Sequence, residues 1–498
     1  MKLLRKFSLL VLYSTLIAGE LNAQTTNTPH PDNEPWDLRQ CVDYAIKNNI
    51  SVRQSDVQKR MSDLVFEQNK KTRIPNASFS TNTGYQFGRS IDPTTNLFTN
   101  QQLLFQGYQF NTDMTIYNWG RINNNITASR LGAEAAAADV EKNRNDISLN
   151  VATGYLAALL SKVQIDIVQV QLQQSQNQLA DTRKRVEAGT VPELNAVDLE
   201  AQVARDSSTL ITAQGNFELN LLSLKALLNM DAASPFSIAV PPVDQIPVDP
   251  ISELQPALVF DLAMKNQPAQ KANELRRQSL EYSAKAARSL LYPTFSAFGG
   301  LASNFANSNL KTTSVDFLGY NPPRPYSSVV DVNGVLTPVQ TPNFKVTQAK
   351  KTPGEMWSDW GSQMSNNFRQ NLGIAISVPI FNGYQARTGY QRSKLNVESQ
   401  NLVIEQANQK LKQDIYNAYT NAVTALQKYN SANTSRNAAQ RAYDFASRRY
   451  ELGLLSTLEL ITSQTNLTRA KIDVANAQFD YVFRMKVLEF YKGMGIKL

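Results

Sequence analysis

The most constraining feature of this 498-residue chain is an internal duplication that keeps two separate offsets. Residues 43–75 resemble residues 261–293 at a shift of 218, and residues from about 104 to 214 have counterparts at a shift of 264. Pairs at the second shift include Asn118/Asn382, Tyr155/Tyr419, Arg185/Arg449 and Gly189/Gly453. The second copy therefore has 46 additional residues at one place, between its two strands. Self-similarity at fixed offsets indicates a duplicated structural unit.

The N-terminus has the pattern of a secretory signal peptide. Lys2, Arg5 and Lys6 precede an apolar run at 7–18, and the small residue Ala23 marks the expected cleavage site. The run is too short to span a bilayer as a helix, and no later stretch has about 18 uninterrupted apolar residues. We therefore expect an exported mature chain without a transmembrane helix.

Composition argues against several functions. Cys41 and His30 are the only cysteine and histidine; we expect Cys41 to be a small buried residue and His30 to be solvated. They leave no His/Cys metal cluster and no nucleophile paired with histidine, so we predict no enzyme activity, no metal site and no cofactor. The net charge of +8 is scattered rather than concentrated in a basic stripe, which argues against nucleic-acid binding.

Two long segments have helix-favouring composition. Residues 118–188 and 382–452 contain no proline and few glycines. About 70 residues in a helix extend roughly 105 Å, which exceeds any single compact core. A narrow apolar seam in an otherwise polar helix predicts coiled-coil or helical-barrel packing.

Each long helix is predicted to end at a tip glycine, Gly189 or Gly453, in a left-handed C-terminal cap. The helices that return from the tips are expected to begin at capping boxes. The pairs with capping-box spacing are Thr190/Glu193 and Ser456/Glu459. Each copy therefore contributes an antiparallel helical hairpin.

Three segments alternate with period two, with apolar residues on one face and small or polar residues on the other. The apolar faces comprise Ala77, Phe79, Thr81, Thr83, Tyr85 and Phe87; Tyr108, Phe110, Thr112, Met114 and Ile116; and Leu372, Ile374, Ile376, Val378 and Ile380. This pattern is typical of transmembrane barrel strands, and a soluble sheet with one buried face is the alternative. The signal peptide, the duplication and the aromatic residues at the segment ends (Trp119, Phe368, Phe381 and Tyr384) favour the membrane. Four strands cannot close a barrel in lipid, so several chains must share one.

These features predict an order of segments along the chain. They are a signal peptide at 1–23, a linker at 24–35, repeat 1 at 36–230, a proline-rich equatorial linker at 231–256 and repeat 2 at 257–498. Repeat 1 contains a helix, a strand pair at 76–118 and a helical hairpin with its tip near 189. Repeat 2 contains a helix, a strand pair at 294–381 with a long loop at 305–367, and a hairpin with its tip near 453.

Several motifs resemble those of the outer-membrane efflux (TolC) family. They are WDLRQCVDYAIKNN at 36–49, YNWGR at 117–121, VPIFNG at 378–383 and the two tip segments, and their order covers essentially the whole mature chain. The resemblance implies a mixed α+β membrane protein. Its homotrimer would form a 12-stranded outer-membrane β-barrel, with four strands per chain. That barrel would continue into a long periplasmic α-helical barrel of antiparallel coiled-coil hairpins.

The resemblance also implies a function. The chain would be a passive exit duct in the outer membrane for a tripartite efflux or type I secretion system, with a periplasmic adaptor and an inner-membrane transporter as partners. Drugs, metal ions and proteins all remain open as cargo. An exported coiled-coil scaffold or adhesin without a pore is the main alternative. An envelope hydrolase would need a pair of carboxylates about 5 to 9 Å apart, and the sequence singles out no such pair.

In the family, acidic residues narrow the periplasmic mouth six and nine positions after the second tip glycine. The corresponding positions are Glu459 and Thr462, and in the first copy Asn195 and Asp198. Three copies of Glu459 around one axis would repel each other and attract cations. A helix-capping role for Glu459 is the alternative and is compatible with gating.

The resemblance implies roles for three further groups at the tips. Tyr450 matches a tyrosine that helps to keep the mouth closed, whereas Leu455 stands where the family has an arginine. Six residues match the family's adaptor-docking surface, although they fit simple turn and cap residues equally well. They are Ala188, Gly189, Thr190, Leu452, Gly453 and Leu454.

Overall fold

The computed structural model of the chain describes residues 34–91, 98–100, 102–240, 250–322 and 328–493. The expected signal peptide and His30 lie outside these residues. The helices are α1 (Leu38–Asn48), α2 (Ile50–Lys71), α3 (Arg121–Glu187), α4 (Leu194–Leu228), α5 (Pro256–Asn266), α6 (Pro268–Ser289), α7 (Trp360–Asn366), α8 (Gln385–Glu451) and α9 (Thr457–Tyr491). The strands are β1 (Asn76–Gln86), β2 (Arg89–Ile91), β3 (Phe98–Asn100), β4 (Leu103–Tyr117), β5 (Thr294–Ser308), β6 (Leu310–Tyr320), β7 (Val329–Val332), β8 (Val335–Pro338), β9 (Pro342–Lys350) and β10 (Arg369–Ser377). The predicted mixture of long helices and strands is confirmed.

The duplication is visible in the long helices. Helices α3 and α8 each have 67 residues, and both of their ends are related by the shift of 264. Each helix starts just after two consecutive left-handed residues. These are Trp119 and Gly120 (φ 54° and 77°) before α3, and Gly383 and Tyr384 (both φ 62°) before α8. The YNWGR and VPIFNG motifs therefore mark the turn from strand to helix in both copies.

The chain forms two compact units, and α3 and α8 contribute to both. The described part of the first unit comprises residues 34–53, 144–240, 250–259 and 415–493. Its core packs α1 against α3, α4 and α9 around fully buried residues such as Tyr155 and Leu224. Cys41 is completely buried in this core, as predicted, and burial raises the pKa of its thiol to about 12.

One 18-residue window in α3 is long and apolar enough to cross a membrane, with a mean hydropathy of 1.4. Half of this window is buried inside the protein. Core helices pass the same test of length and composition, so the window alone does not identify a membrane span.

The second unit comprises residues 54–143 and 260–414 and contains the sheets. Four antiparallel strands form the main sheet in the order β1-β4-β5-β10, which leaves β1 and β10 at its edges. Residues directly opposite each other on antiparallel strands point to the same face. The pairs Phe79↔Phe110 and Phe110↔Leu301 therefore lie on one face. On the same face, Leu372 of β10 is 90% exposed.

The ends of three predicted strands differ from the expectation. Strand β10 ends at Ser377, so Val378 and Ile380 lie outside the sheet, because Pro379 has no N–H to donate to the ladder. Phe87 likewise follows the end of β1. A register shift between Thr115 and Tyr117 leaves Ile116 without a partner and places Tyr117, instead of Ile116, opposite Phe295.

The described part of the predicted long loop at 305–367 contains regular secondary structure. Strand β5 continues to Ser308, β6 pairs with β9, and β7 pairs with β8. Asn333 and Gly334 (φ 54° and 82°) connect β7 to β8. Asn-Gly with both residues left-handed is the preferred two-residue hairpin turn, so the sequence contained this signal.

Candidate functional site

The two helical tips have the same backbone geometry. In the first copy, the amides of Gly189 and Thr190 donate to the carbonyl oxygens of Val186 and Arg185 at 2.8 and 2.9 Å. The second tip repeats both hydrogen bonds at residues shifted by 264, at 3.0 and 2.8 Å. This pattern is the Schellman motif, and it needs a left-handed residue after the helix. The glycine φ angles of 72° and 73° confirm the predicted left-handed caps.

The helices that return from the tips begin differently. At α9 the amide of Glu459 donates to the Ser456 hydroxyl oxygen (3.3 Å), and the amide of Ser456 donates to the Glu459 carboxylate (3.1 Å). The predicted capping box of the second copy is therefore confirmed. The box predicted for Thr190 and Glu193 is wrong, because Glu193 makes no side-chain cap and the Thr190 hydroxyl donates to the carbonyl of Arg185. The shift of 264 places Pro192, which has no hydroxyl, at the position of Ser456.

The electrostatics of Glu459 follow from this cap. Its side chain is exposed, and it accepts hydrogen bonds from both the amide and the hydroxyl of Ser456. These bonds lower the pKa of Glu459, and the nearby Arg449 lowers it further. Glu459 is therefore an ionised carboxylate held in a fixed orientation in the first turn of α9. In the first copy the shift of 264 places Asn195 at the same point of α4.

Tyr450 connects two helices. Its hydroxyl oxygen lies 3.2 Å from that of Thr182, a buried residue of α3. Farther from the tip, the Gln178 side-chain amide donates to the hydroxyl of Tyr443 at 3.3 Å. Tyr450 is thus part of the contact between the long helices of the two copies.

The other predicted tip residues are accessible. All six candidate docking residues (Ala188, Gly189, Thr190, Leu452, Gly453 and Leu454) are exposed. Asp198 and Asn195 are partly buried on α4, whereas Thr462 donates its hydroxyl to the carbonyl of Leu458.

The structure contains a buried polar layer that the sequence analysis did not predict. It is formed by Ser175, Gln202, Asp206 and Gln464. The Ser175 hydroxyl donates to Asp206 Oδ2 (2.6 Å), and Gln202 donates to Asp206 Oδ1 (2.8 Å). Gln464 of α9 donates to the hydroxyl oxygen of Ser175 at 3.4 Å. All four side chains are more than nine-tenths buried, and they join α3, α4 and α9.

A sequence signal for this layer did exist. Ser161, Val168, Ser175 and Thr182 recur every seven residues and are all buried. A heptad register started from Val168 therefore predicts Ser175 and Thr182 as seam positions despite their polarity.

The second face of the main sheet is polar, and we define it as the face of Ser78, Ser80, Asn82, Gln109, Asn111 and Asn371. Asp113 and Arg369 are the charged residues that the strand register assigns to this face. Phe298 also lies there, directly over Gly373, where an added Cβ would be 2.7 Å from its ring. The sheet thus has one apolar face and one polar face, both available for contacts beyond the chain.

No group of three or more His, Cys, Asp or Glu side chains suited to a metal ion occurs among the described residues.

Comparison with known proteins gives consistent results. The model of the family described as outer membrane efflux protein matches residues 42–230 and 351–488. Outer membrane protein TolC of Escherichia coli (strain K12) is 20% identical over 146 residues, which are 29% of this chain and 29% of TolC. Outer membrane efflux protein BepC of Brucella suis biovar 1 (strain 1330) is 22% identical over 122 residues, 24% of this chain and 27% of BepC. The aligned segments thus span less than a third of these relatives.

Solved structures match over nearly the whole chain. CusC superposes with a TM-score of 0.69 and 14% identity, covering 93% of this chain and 95% of CusC. The Campylobacter jejuni CmeC outer membrane channel gives a TM-score of 0.67 and 16% identity, covering 92% of this chain and 86% of CmeC. At these identities the similarity establishes a common fold.

Proposed function

Since the chain belongs to the outer membrane efflux protein family, we propose that it is the exit duct of a tripartite efflux or type I secretion system. Members of the family lie in the outer membrane. In this proposal the chain is a passive conduit, not an enzyme, and it acts with a periplasmic adaptor and an inner-membrane transporter.

The observation that carries the proposal is the opposite chemistry of the two sheet faces. The apolar face includes Leu372, Ile374 and Ile376, which are 90%, 70% and 62% exposed. Burying such side chains in an apolar medium is favourable by about 25 cal/mol per Å², and lipid supplies that medium. The polar face, rich in Asn, Gln and Ser, suits a water-filled lumen.

The open edges of the sheet support assembly. Strands β1 and β10 each have one side without a neighbour in the main sheet. Unpaired backbone groups are not tolerated in lipid, so β10 of one copy must pair with β1 of the next. Eight strands give a barrel filled by its own side chains, and larger barrels leave a channel. Three copies with four strands each give the 12-stranded barrel that the family resemblance implies.

The tips provide the remaining parts of the proposal. Three Glu459 carboxylates at the periplasmic mouth would form an anionic ring, with Asp198 and Asn195 at the same level from the first copy. The hydroxyl contact of Tyr450 with Thr182 would hold neighbouring helices together in the closed state. The exposed tip residues Ala188–Thr190 and Leu452–Leu454 would receive the adaptor.

A matched pair of substitutions tests the duct. Ile374 and Ala375 are adjacent on β10 and point to opposite faces. Lysine on the lipid face costs about 2–4 kcal/mol per chain at the bilayer midplane and less nearer the interfaces, so Ile374→Lys, within the apolar face, should reduce outer-membrane assembly. Ala375→Lys should assemble normally and shift the selectivity of the pore in planar bilayers towards anions.

The unaltered protein should behave as a trimer by native mass spectrometry and should conduct ions in planar bilayers. Monomers that form no pores would refute the duct and favour the scaffold or adhesin. Protease treatment of intact cells should cut a scaffold or adhesin at many places, whereas it should cut a duct only at 305–367 and around 90–102.

A further inference from the structure

The second copy carries a compact structure in its inter-strand connection. Strands β5 and β10 are separated by 60 residues, whereas β1 and β4 are separated by 16. The last part of the longer connection, residues 351–368, contains a 3-10 turn at Glu355–Trp357 and helix α7. We call residues 351–368 the rim cap.

The rim cap is fastened to the part of β5 that extends beyond the end of β10. The hydroxyl of Ser303 donates to the carbonyl of Met364 (2.7 Å), and the Asn367 amide donates to the carbonyl of Asn304 (2.7 Å). The backbone amide of Ala306 donates to Gln363 (3.1 Å). Side chains of the rim cap thus satisfy backbone groups of β5 where it extends past its partner.

Apolar contacts fix the face on which the rim cap lies. Met356 is buried against Leu104 and Phe305, and the ring of Trp357 stacks on Phe305 at 5.7 Å. The indole N–H of Trp360 donates to Gln106, the residue opposite Phe305. Alternation along β5 puts Phe305 on the same side as Leu301, so the rim cap covers the end of the apolar face.

A second aromatic group bounds the opposite end of that face. Tyr117 contacts Phe295, and Trp119 contacts Tyr292 with ring centroids 5.1 Å apart. Phe305 and Phe295 are ten residues apart on β5, or about 33 Å along the strand. At the usual barrel tilt of about 40° this distance corresponds to a height of roughly 25 Å. Outer-membrane barrels have an apolar band of that height between aromatic girdles.

We propose that the rim cap is a lipid-anchoring element that inserts Trp357 and Trp360 into the headgroup region of the outer leaflet. The two indoles are 41% and 39% exposed, although their rings are in contact with the sheet. Indole rings favour this zone because one edge is polar and the body is apolar. Lys350 is exposed at the end of β9, directly before the rim cap, and is suited to headgroup phosphates. This inference rests on the proposed function.

Single-tryptophan variants in vesicles test the anchor. Each variant keeps tryptophan at 357, 360 or 119, with the other three residues replaced by phenylalanine, in vesicles of phosphatidylcholine and phosphatidylglycerol. Lipids brominated near the headgroup should quench emission from Trp357 and Trp360 more strongly than lipids brominated deep in the chain. Aqueous acrylamide should quench both residues less than it quenches free tryptophan.

Trp119 is the internal control, because it reports the other boundary of the same apolar face. Suppose that acrylamide quenches Trp357 and Trp360 but bromolipids do not, while bromolipids do quench Trp119. That result would overturn the anchor and leave the proposed duct intact. Insensitivity of all three residues to bromolipids would overturn both proposals.

A spin label at Ser362→Cys on α7 gives a measurement that leaves every tryptophan in place. The label should be more accessible to oxygen than to a water-soluble nickel chelate, whereas the reverse order contradicts the anchor.

Discussion

Gating and capping by Glu459 can be separated with three substitutions. Glu459→Gln removes the charge but keeps a side chain that completes a capping box. Ser456→Ala keeps the charge and removes the hydroxyl that accepts the Glu459 amide. Glu459→Ala removes both the charge and the carboxylate that accepts the Ser456 amide.

The expected sizes of the two effects differ. Loss of an N-terminal cap costs about 1 kcal/mol, so Ser456→Ala and Glu459→Ala should lower the melting temperature and Glu459→Gln should not. For the charge, two carboxylates about 8 Å apart in water repel by roughly 0.5 kcal/mol at low salt. In the proposed trimer three such pairs would disfavour the closed mouth, and ionic strengths above about 0.1 M would screen most of their repulsion.

The assay is single-channel recording at low and high salt. Glu459→Gln and Glu459→Ala should both reduce cation selectivity and its salt dependence, whereas Ser456→Ala should retain them. If Glu459→Gln conducts like the unaltered protein while Ser456→Ala lowers the melting temperature, Glu459 is only a helix cap.

The same side chain predicts a pH dependence. The pKa of Glu459 is lowered from 4.5 by its hydrogen bonds with Ser456. A lowered pKa means that the folded protein favours the ionised form, so the stabilisation is complete above pH 4.5 and is lost as the pH falls through the folded value. Cation selectivity should follow the same titration and should be pH-independent in Glu459→Gln.

Three further perturbations have defined outcomes. Gly453→Ala forces a Cβ into a left-handed conformation (φ 73°) and should destabilise the tip by about 1–2 kcal/mol, measured as a lower melting temperature. Asp206→Ala leaves the buried hydroxyl of Ser175 without its acceptor and should cost about 1–3 kcal/mol, whereas Glu200→Ala, which breaks an exposed ion pair, should cost less than about 1 kcal/mol. Cys41 is fully buried and the pKa of its thiol is about 12, so a maleimide should label it at pH 8 only after denaturation; labelling of the native protein would contradict the core assignment.

Features encoded locally could be predicted from the sequence. The tip glycines could be predicted because a Schellman motif needs a residue in the left-handed conformation. Glycine adopts that conformation without the steric cost of a Cβ. The capping box at Ser456 was also correct. The equivalent prediction at Thr190 failed because its hydroxyl bonds backwards to α3 instead of forwards to α4. The two pairs have the same internal spacing, but Ser456 lies three residues after its tip glycine and Thr190 only one residue after its own.

Features that depend on tertiary packing were harder to predict. The shift at Ile116 places Tyr117 opposite Phe295, although nothing in the alternation of the strand marks that position. Ser175 and Asp206 have the composition of a solvated helix surface, and only burial by neighbouring helices makes them a polar layer. The rim cap lies inside the segment that the 46 additional residues predict as a long loop, and its seven-residue helix is too short to show a helical period in the sequence.

The duplicated halves of the chain share their backbone geometry at the tips. They differ in the charge at the tips and in the rim cap, which covers one end of the apolar sheet face. Both tips have the same cap, yet Glu459 carries a charge where Asn195 does not, so a trimer would place three carboxylates at that level rather than six. Likewise, the second copy alone supplies the 351–368 rim cap at one boundary of the apolar face. A sixfold scaffold with threefold chemistry follows from these differences. Because backbone geometry would hold the tube together, side chains in one copy could acquire gating or anchoring roles without disturbing it.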